Sequence, residues 1–102
     1  MIAADLKSNF SRYSSWIKRM GTDSRMLATH VSLFTGLFVC WQRNGFQIPF
    51  TVTRKTLMAY SRIASIATYH KCIKELDECG YIRYQPSYHP RLGSLVWLPK
   101  NS

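Results

Sequence analysis

From Thr53 to Ile82 the chain reads TRKTLMAYSRIASIATYHKCIKELDECGYI, and this stretch leaves little freedom of fold. Thr53 can cap a helix start, and Leu57 and Met58 supply an inward pair, so Arg54 to Tyr60 predicts a short helix. Ser61-Arg62-Ile63-Ala64 forms a turn, after which Ser65 can cap a second helix. Ile66, Tyr69, Ile73 and Leu76 recur at spacings of three, four and three, an apolar stripe on that second helix. Gly80 is its stop, where a left-handed residue is wanted. Tyr81 to Tyr84 then reads as a strand. Two capped helices, a four-residue turn and a strand make one unit that the rest of the chain must hold.

The flanking segments supply the holding parts. Leu6, Phe10, Tyr13, Ile17 and Met20 recur at helical spacing, while Lys7, Arg12, Lys18 and Arg19 fall mostly off the stripe. Residues 1–21 are therefore expected to form a basic amphipathic helix or arm. Its stripe suits packing on the domain first and pairing with a second copy next. Residues 22–102 are expected to form the main domain. Thr22, Asp23 or Ser24 can cap a further helix. Leu27, Val31, Phe34, Phe38 and Trp41 form its stripe, widened by Leu33 and Leu37, so this helix is expected at the centre. Asn44-Gly45 ends it. His30 lies in the same helix and is expected to be structural. Phe46 to Val52 alternates loosely, and Pro49 confines it to an edge strand. Ser94 to Leu98 reads as another strand. Pro86, Pro90 and Gly93 make the segment before it a loop, giving a β-hairpin with a long tip. The fold class is mainly α with a small β-hairpin, an α+β arrangement.

Charge narrows the function. Fourteen Lys and Arg against five Asp and Glu, in 102 residues, leave a formal charge of +9. Such a balance favours a polyanionic partner, nucleic acid before an anionic membrane surface. Hydrophobic residues make up 46% of the chain, enough for a folded globule and not a solvated tail. Cys40, Cys72 and Cys79 are an odd set without a pairing pattern, which fits a reducing compartment. No basic start followed by an apolar run marks a signal peptide, and no segment carries the roughly 18 apolar residues of a membrane span. A cytoplasmic protein associated with the nucleoid is the expectation.

Enzymatic readings find little material. Three of the five acids cluster on one helix, and no glycine-rich phosphate loop is present. A zinc site assembled from His70, Cys72, Cys79 and His89 lacks a Cys-x-x-Cys pair, and positions 70 and 72 of one helix point in different directions. Trp16, Trp41 and Trp97 are scattered, as core or interface residues are. The chain is expected to be no enzyme, and to need neither metal, cofactor nor small-molecule ligand.

The order helix, short strand, helix, turn, helix, strand, loop, strand resembles that of the winged helix-turn-helix superfamily. The residues carrying the resemblance are the pair Leu57-Met58, the turn and cap Ser61 to Ser65, then Thr68-Tyr69-His70-Lys71 with Leu76, and the closing Gly80-Tyr81-Ile82. They cover about half of the chain, and KELDECGYI is the most specific piece. The chain departs in the turn, where many members carry a glycine and Ser61-Arg62-Ile63 stands here. A weaker likeness is to regulators and replication-initiator-like proteins of bacterial mobile elements. The resemblance implies a three-helix core plus a wing, here with an extra N-terminal helix.

It also implies sequence-specific binding of double-stranded DNA, as small bacterial transcriptional regulators perform it. The 65–79 helix would enter the major groove, and the 85–93 wing would touch the flanking groove or backbone. With the apolar stripe inward, Ser65, Ala67, Thr68, His70, Lys71 and Lys74 are the candidates for base contact. Ala67 and Thr68 suit a thymine methyl and Lys71 suits guanine acceptors. Asp77 and Glu78, at the far end, would be kept away from DNA. Arg54, Lys55 and Arg62 are candidates for the phosphate backbone, and Tyr88, His89 and Arg91 for the wing tip. Palindromic sites favour two-fold partners, so a homodimer through residues 1–45 is expected. Two other readings stand beside this one: an accessory factor in replication initiation or excision of a mobile element, and a winged-helix protein-interaction module without DNA binding.

Overall fold

The computed structural model describes residues 2–87 and 92–99, with side chains from Lys7 onward. Four helices and a small antiparallel sheet follow one another as α1 (Ile2–Gly21), α2 (Ala28–Arg43), β1 (Phe50–Val52), α3 (Arg54–Ser61), α4 (Ile66–Glu78), β2 (Arg83–Gln85) and β3 (Ser94–Trp97). The sheet order is β1-β3-β2. β3 pairs with β1 through Phe50↔Val96 and with β2 through Tyr84↔Val96, both antiparallel. The expected hairpin is thus β2–β3, and the Pro49 segment supplies an edge strand of three residues.

α2 is the centre. It buries Leu33, Phe34, Gly36, Leu37, Cys40 and Trp41 against α1 on one side and α3, α4 and β1 on the other. Gly36 lets α3 close in, since a Cβ there would lie 3.3 Å from the Cβ of Tyr60. α1 covers α2 with Trp16 and Met20 buried and Tyr13 stacked on Phe34 and tilted against Phe38. Its inward set is therefore Tyr13, Trp16, Ile17 and Met20. Phe10, placed on the stripe by its spacing, is 65% exposed. Leu6 lies outside the described side chains.

α2 and α4 end in the same way. Gly45 takes φ +67°, its N–H donates to the Gln42 carbonyl, and the Phe46 N–H donates to the Trp41 carbonyl. At α4, Gly80 takes φ +83°, its N–H donates to the Asp77 carbonyl, and the Tyr81 N–H donates to the Leu76 carbonyl. Each is a Schellman motif, with the apolar contact that accompanies it: Phe46 packs edge-on to Trp41 at 4.8 Å, and Tyr81 and Leu76 are both fully buried. Tyr81 and Ile82 are therefore core residues, and the strand begins only at Arg83, two residues later than the alternation predicts. A Cβ on Gly80 meets no atom within 4 Å, so Gly80→Ala is expected to cost only the left-handed backbone term, about 1 kcal/mol. Chemical denaturation of the two proteins measures it.

The start of α2 differs from the expected cap. Thr22, Asp23 and Ser24 do not cap it: the N-cap position is Leu27, 63% exposed, and the Leu27 N–H donates to Nδ1 of His30 at 2.8 Å. Asp23 instead ties the α1–α2 connection down. It accepts from the Arg25 backbone N–H and from the Arg25 guanidinium at 2.8 and 2.9 Å, and from the Tyr81 hydroxyl at 2.8 Å. These bonds, those from Arg25 first, hold its carboxyl well below the usual carboxylate range.

Candidate nucleic-acid interface

α3, the connection 62–65 and α4 present one face of the molecule. Thr53 Oγ1 accepts from the Thr56 N–H at 3.2 Å and caps α3, and Ser65 Oγ accepts from the Thr68 N–H at 3.2 Å and caps α4. The turn between them is held from within. The Ser61 hydroxyl donates to the Leu57 carbonyl at 2.6 Å, the Ser32 hydroxyl donates to the Ser61 carbonyl, and Ile63 is buried. Arg62 takes φ +61°, the left-handed conformation that a glycine would adopt without cost. The turn angle is thus made with arginine, which leaves an exposed cation between the two helices.

α4 buries Tyr69, Cys72, Ile73 and Leu76. Ile66, assigned to the core by its spacing, is 49% exposed, because the first turn of the helix runs beyond the core. Cys72 takes the inward position that the stripe left unfilled. Ser65, Ala67, His70, Lys71 and Lys74 are exposed and Thr68 is half-buried. Helical geometry at 100° per residue puts Ala67, Lys71, Lys74 and Glu78 on the outermost line of α4. The Lys74 ammonium lies 3.8 Å from the Glu78 carboxylate, an exposed pair four residues apart. Arg54 and Lys55, in the first turn of α3, are exposed. Tyr88, His89 and Arg91 lie outside the described residues.

The order of charge along these helices opposes their own dipoles. The positive end of a helix is stabilised by acids and its negative end by bases, each by roughly 0.3–1 kcal/mol. α3 begins with Arg54 and Lys55 and has no acid in its first turn. α4 has no acid in its first turn and no base in its last, where Asp77 and Glu78 stand. His70 and Lys71 precede them toward the positive end. This order costs the isolated helices stability and makes the 54–71 face attractive to an anion.

Behind that face lies a polar group that only the fold brings together. His30 is 2% exposed, and its Nε2 lies 3.0 Å from Oε1 of Glu75 on α4. Cys72, one turn before Glu75, completes a set whose possible ligand atoms all fall within 4.8 Å of one another. Its donor chemistry fits a hydrogen-bonded tie better than a metal. Nδ1 accepts the Leu27 N–H, so the neutral ring carries its proton on Nε2 and donates it to Glu75. His30 therefore joins the cap of α2 to the middle of α4, the structural role anticipated for it. Its partners, 45 residues away at Glu75, left no mark in the sequence.

An open groove of about 480 Å³ runs beside the turn, between the start of α2 and the start of α4, lined by Ala28, Thr29, Ile63, Ala64 and Thr68 among others. Among the described residues no helix is long and apolar enough to cross a membrane. The chain matches no family model, and no curated protein or solved structure with significant similarity to it was found.

Proposed function

We propose that the chain is a winged helix-turn-helix protein that binds double-stranded DNA sequence-specifically, acting as a transcriptional regulator by occupying its operator. In this reading α3 and α4 are the helix-turn-helix, and β2, β3 and the loop between them are the wing. The observation that carries it is the charge at the positive ends of α3 and α4: Arg54 and Lys55 open α3, neither helix has an acid in its first turn, and both ends therefore favour a polyanion against them. α4 spans 13 residues, about 20 Å, and suits a major groove about 12 Å wide. Ser65, Ala67, Thr68, His70, Lys71 and Lys74 would face bases, and Arg54, Lys55 and Arg62 phosphates. The Lys74–Glu78 pair is exposed and weak, so it would exchange readily for a DNA contact.

A homodimer through residues 1–45 belongs to the same proposal. α2 is consumed by the core, so the contact would fall on the outer surface of α1, where Phe10, edge-on to Tyr13, is largely exposed.

Binding of labelled genomic duplexes at two salt concentrations tests the reading. Affinity is expected to fall steeply with salt. Neutralisation of three phosphates by Arg54, Lys55 and Arg62 alone gives a log–log slope of about −3. A few fragments should be retained over the rest, with two copies of the chain on each by light scattering. Equal weak binding to every fragment would remove the specific-regulator reading. No binding at low salt would leave the protein-interaction module.

A further inference from the structure

We infer that Ile66 reads thymine, through the 5-methyl group that this base alone presents in the major groove. The inference rests on the DNA-binding reading and names the base chemistry of that site. Ile66 opens α4, and its side chain is half exposed although its spacing matches the buried stripe. It does not stand alone. Ala64 and Ala67, its near neighbours in the chain, are exposed, as are Arg62 in the turn and His70 one turn on. The end of the helix is thus a small apolar pole inside a rim of donors and cations, with no acid in its first turn.

That composition discriminates among bases. The amino group of cytosine needs an acceptor, which aspartate or glutamate would supply. Ile66 and Ala67 offer none, Ser65 Oγ already accepts the Thr68 N–H, Thr68 is half-buried, Glu75 is engaged with His30, and Asp77 and Glu78 stand in the last turn. The thymine methyl needs only an apolar surface, and burying it against Ile66 removes both from water. Lys71, five residues further on, brings the donor that guanine requires. The site should therefore hold a thymine under Ile66. An acidic polypeptide with an apolar anchor would also suit a cationic rim, but would show no dependence on a base methyl.

Single thymine-to-deoxyuridine replacement, which removes only the methyl, separates these cases. Duplexes retained from a random pool by the full chain are resynthesised with each thymine replaced in turn, and binding is measured for the native protein and for Ile66→Ala. One replacement is expected to weaken the native protein about fourfold, the worth of one buried methyl. The same replacement should leave Ile66→Ala unaffected, and Ile66→Ala should bind the unmodified duplex several-fold more weakly with an unchanged melting temperature. If the native protein holds its selected duplexes and no replacement distinguishes it from Ile66→Ala, the inference fails and the DNA-binding reading survives. If no duplex is retained at low salt, the DNA-binding reading fails and takes the inference with it.

Discussion

Lys71→Ala is expected to bind selected DNA sites about tenfold or more weakly while its affinity for unrelated duplex falls only slightly. Lys71 lies on the outermost line of α4, exposed and clear of the acids in the last turn. A good side-chain contact to a base edge discriminates by roughly 1–3 kcal/mol, and that is the loss the substitution should produce. Arg54→Ala is the contrast. Arg54 opens α3, which in the proposed complex would cross the phosphate backbone. Its loss should weaken selected and unrelated duplexes alike and lower the salt slope by about one. Both residues are solvent-exposed and alanine is a good helix former, so the melting temperature should not fall in either case, and Arg54→Ala, which removes a cation from the positive end of α3, should raise it slightly. Competition binding against random duplex, at several salt concentrations, separates the two patterns. If Arg54→Ala changed the sequence preference, α3 and not α4 would be the element reading bases.

Much of this arrangement is written locally in the chain. Thr53 and Ser65 cap the helices they precede, because a hydroxyl three residues before a free N–H needs no tertiary context. Gly45 and Gly80 end theirs for an equally local reason. Periodicity tells which face of a helix is apolar, but not how far along the helix the core extends. Phe10, Leu27 and Ile66 all fit their stripes, and all are exposed: Leu27 caps α2 and Ile66 opens α4, where the core stops short, and Phe10 lies mid-way along α1, whose N-terminal half extends past α2. Cys72, which the spacing of the stripe skips, fills the inward position between Tyr69 and Ile73. The pairing of β1 with β3 and the tie from His30 to Glu75 join residues more than forty positions apart, and strands of three and four residues carry too little alternation to announce it. In the candidate interface the exposed cations were legible residue by residue. The exposure of Ile66, which changes the chemistry of the helix tip, was not.

Tyr81→Ala is expected to cost about 3–5 kcal/mol, a large part of the 5–15 kcal/mol that holds a domain of this size together. Tyr81 is fully buried at the point where α4 turns into the sheet. Its backbone N–H closes the end of α4, its ring meets Trp16 edge-on at 5.4 Å, and the Arg19 guanidinium lies over it at 5.4 Å. Its hydroxyl donates to Asp23, so one side chain fastens α4, α1 and the α1–α2 connection. Tyr81→Phe keeps the ring and removes only that bond, at a cost of about 1.5–3 kcal/mol for a hydrogen bond to a charged group. The pH dependence isolates the hydroxyl. Burial first, and the bond to Asp23 second, push the Tyr81 phenol up to about 12. The folded state thus prefers the neutral phenol. Its contribution is complete below the unfolded value near 10, and is lost as pH rises from there through about 12. Asp23 acts in the opposite sense. Its carboxyl is held down by Arg25, so its contribution is complete above the unfolded value of about 3.9 and fades as pH falls below it. Tyr69, also raised by burial, adds an alkaline loss common to both proteins. The difference in denaturation midpoint between native protein and Tyr81→Phe should therefore shrink between about pH 10 and 12 and again below about pH 4. A difference that stayed constant across both windows would mean that the Tyr81–Asp23 bond does not hold these elements together.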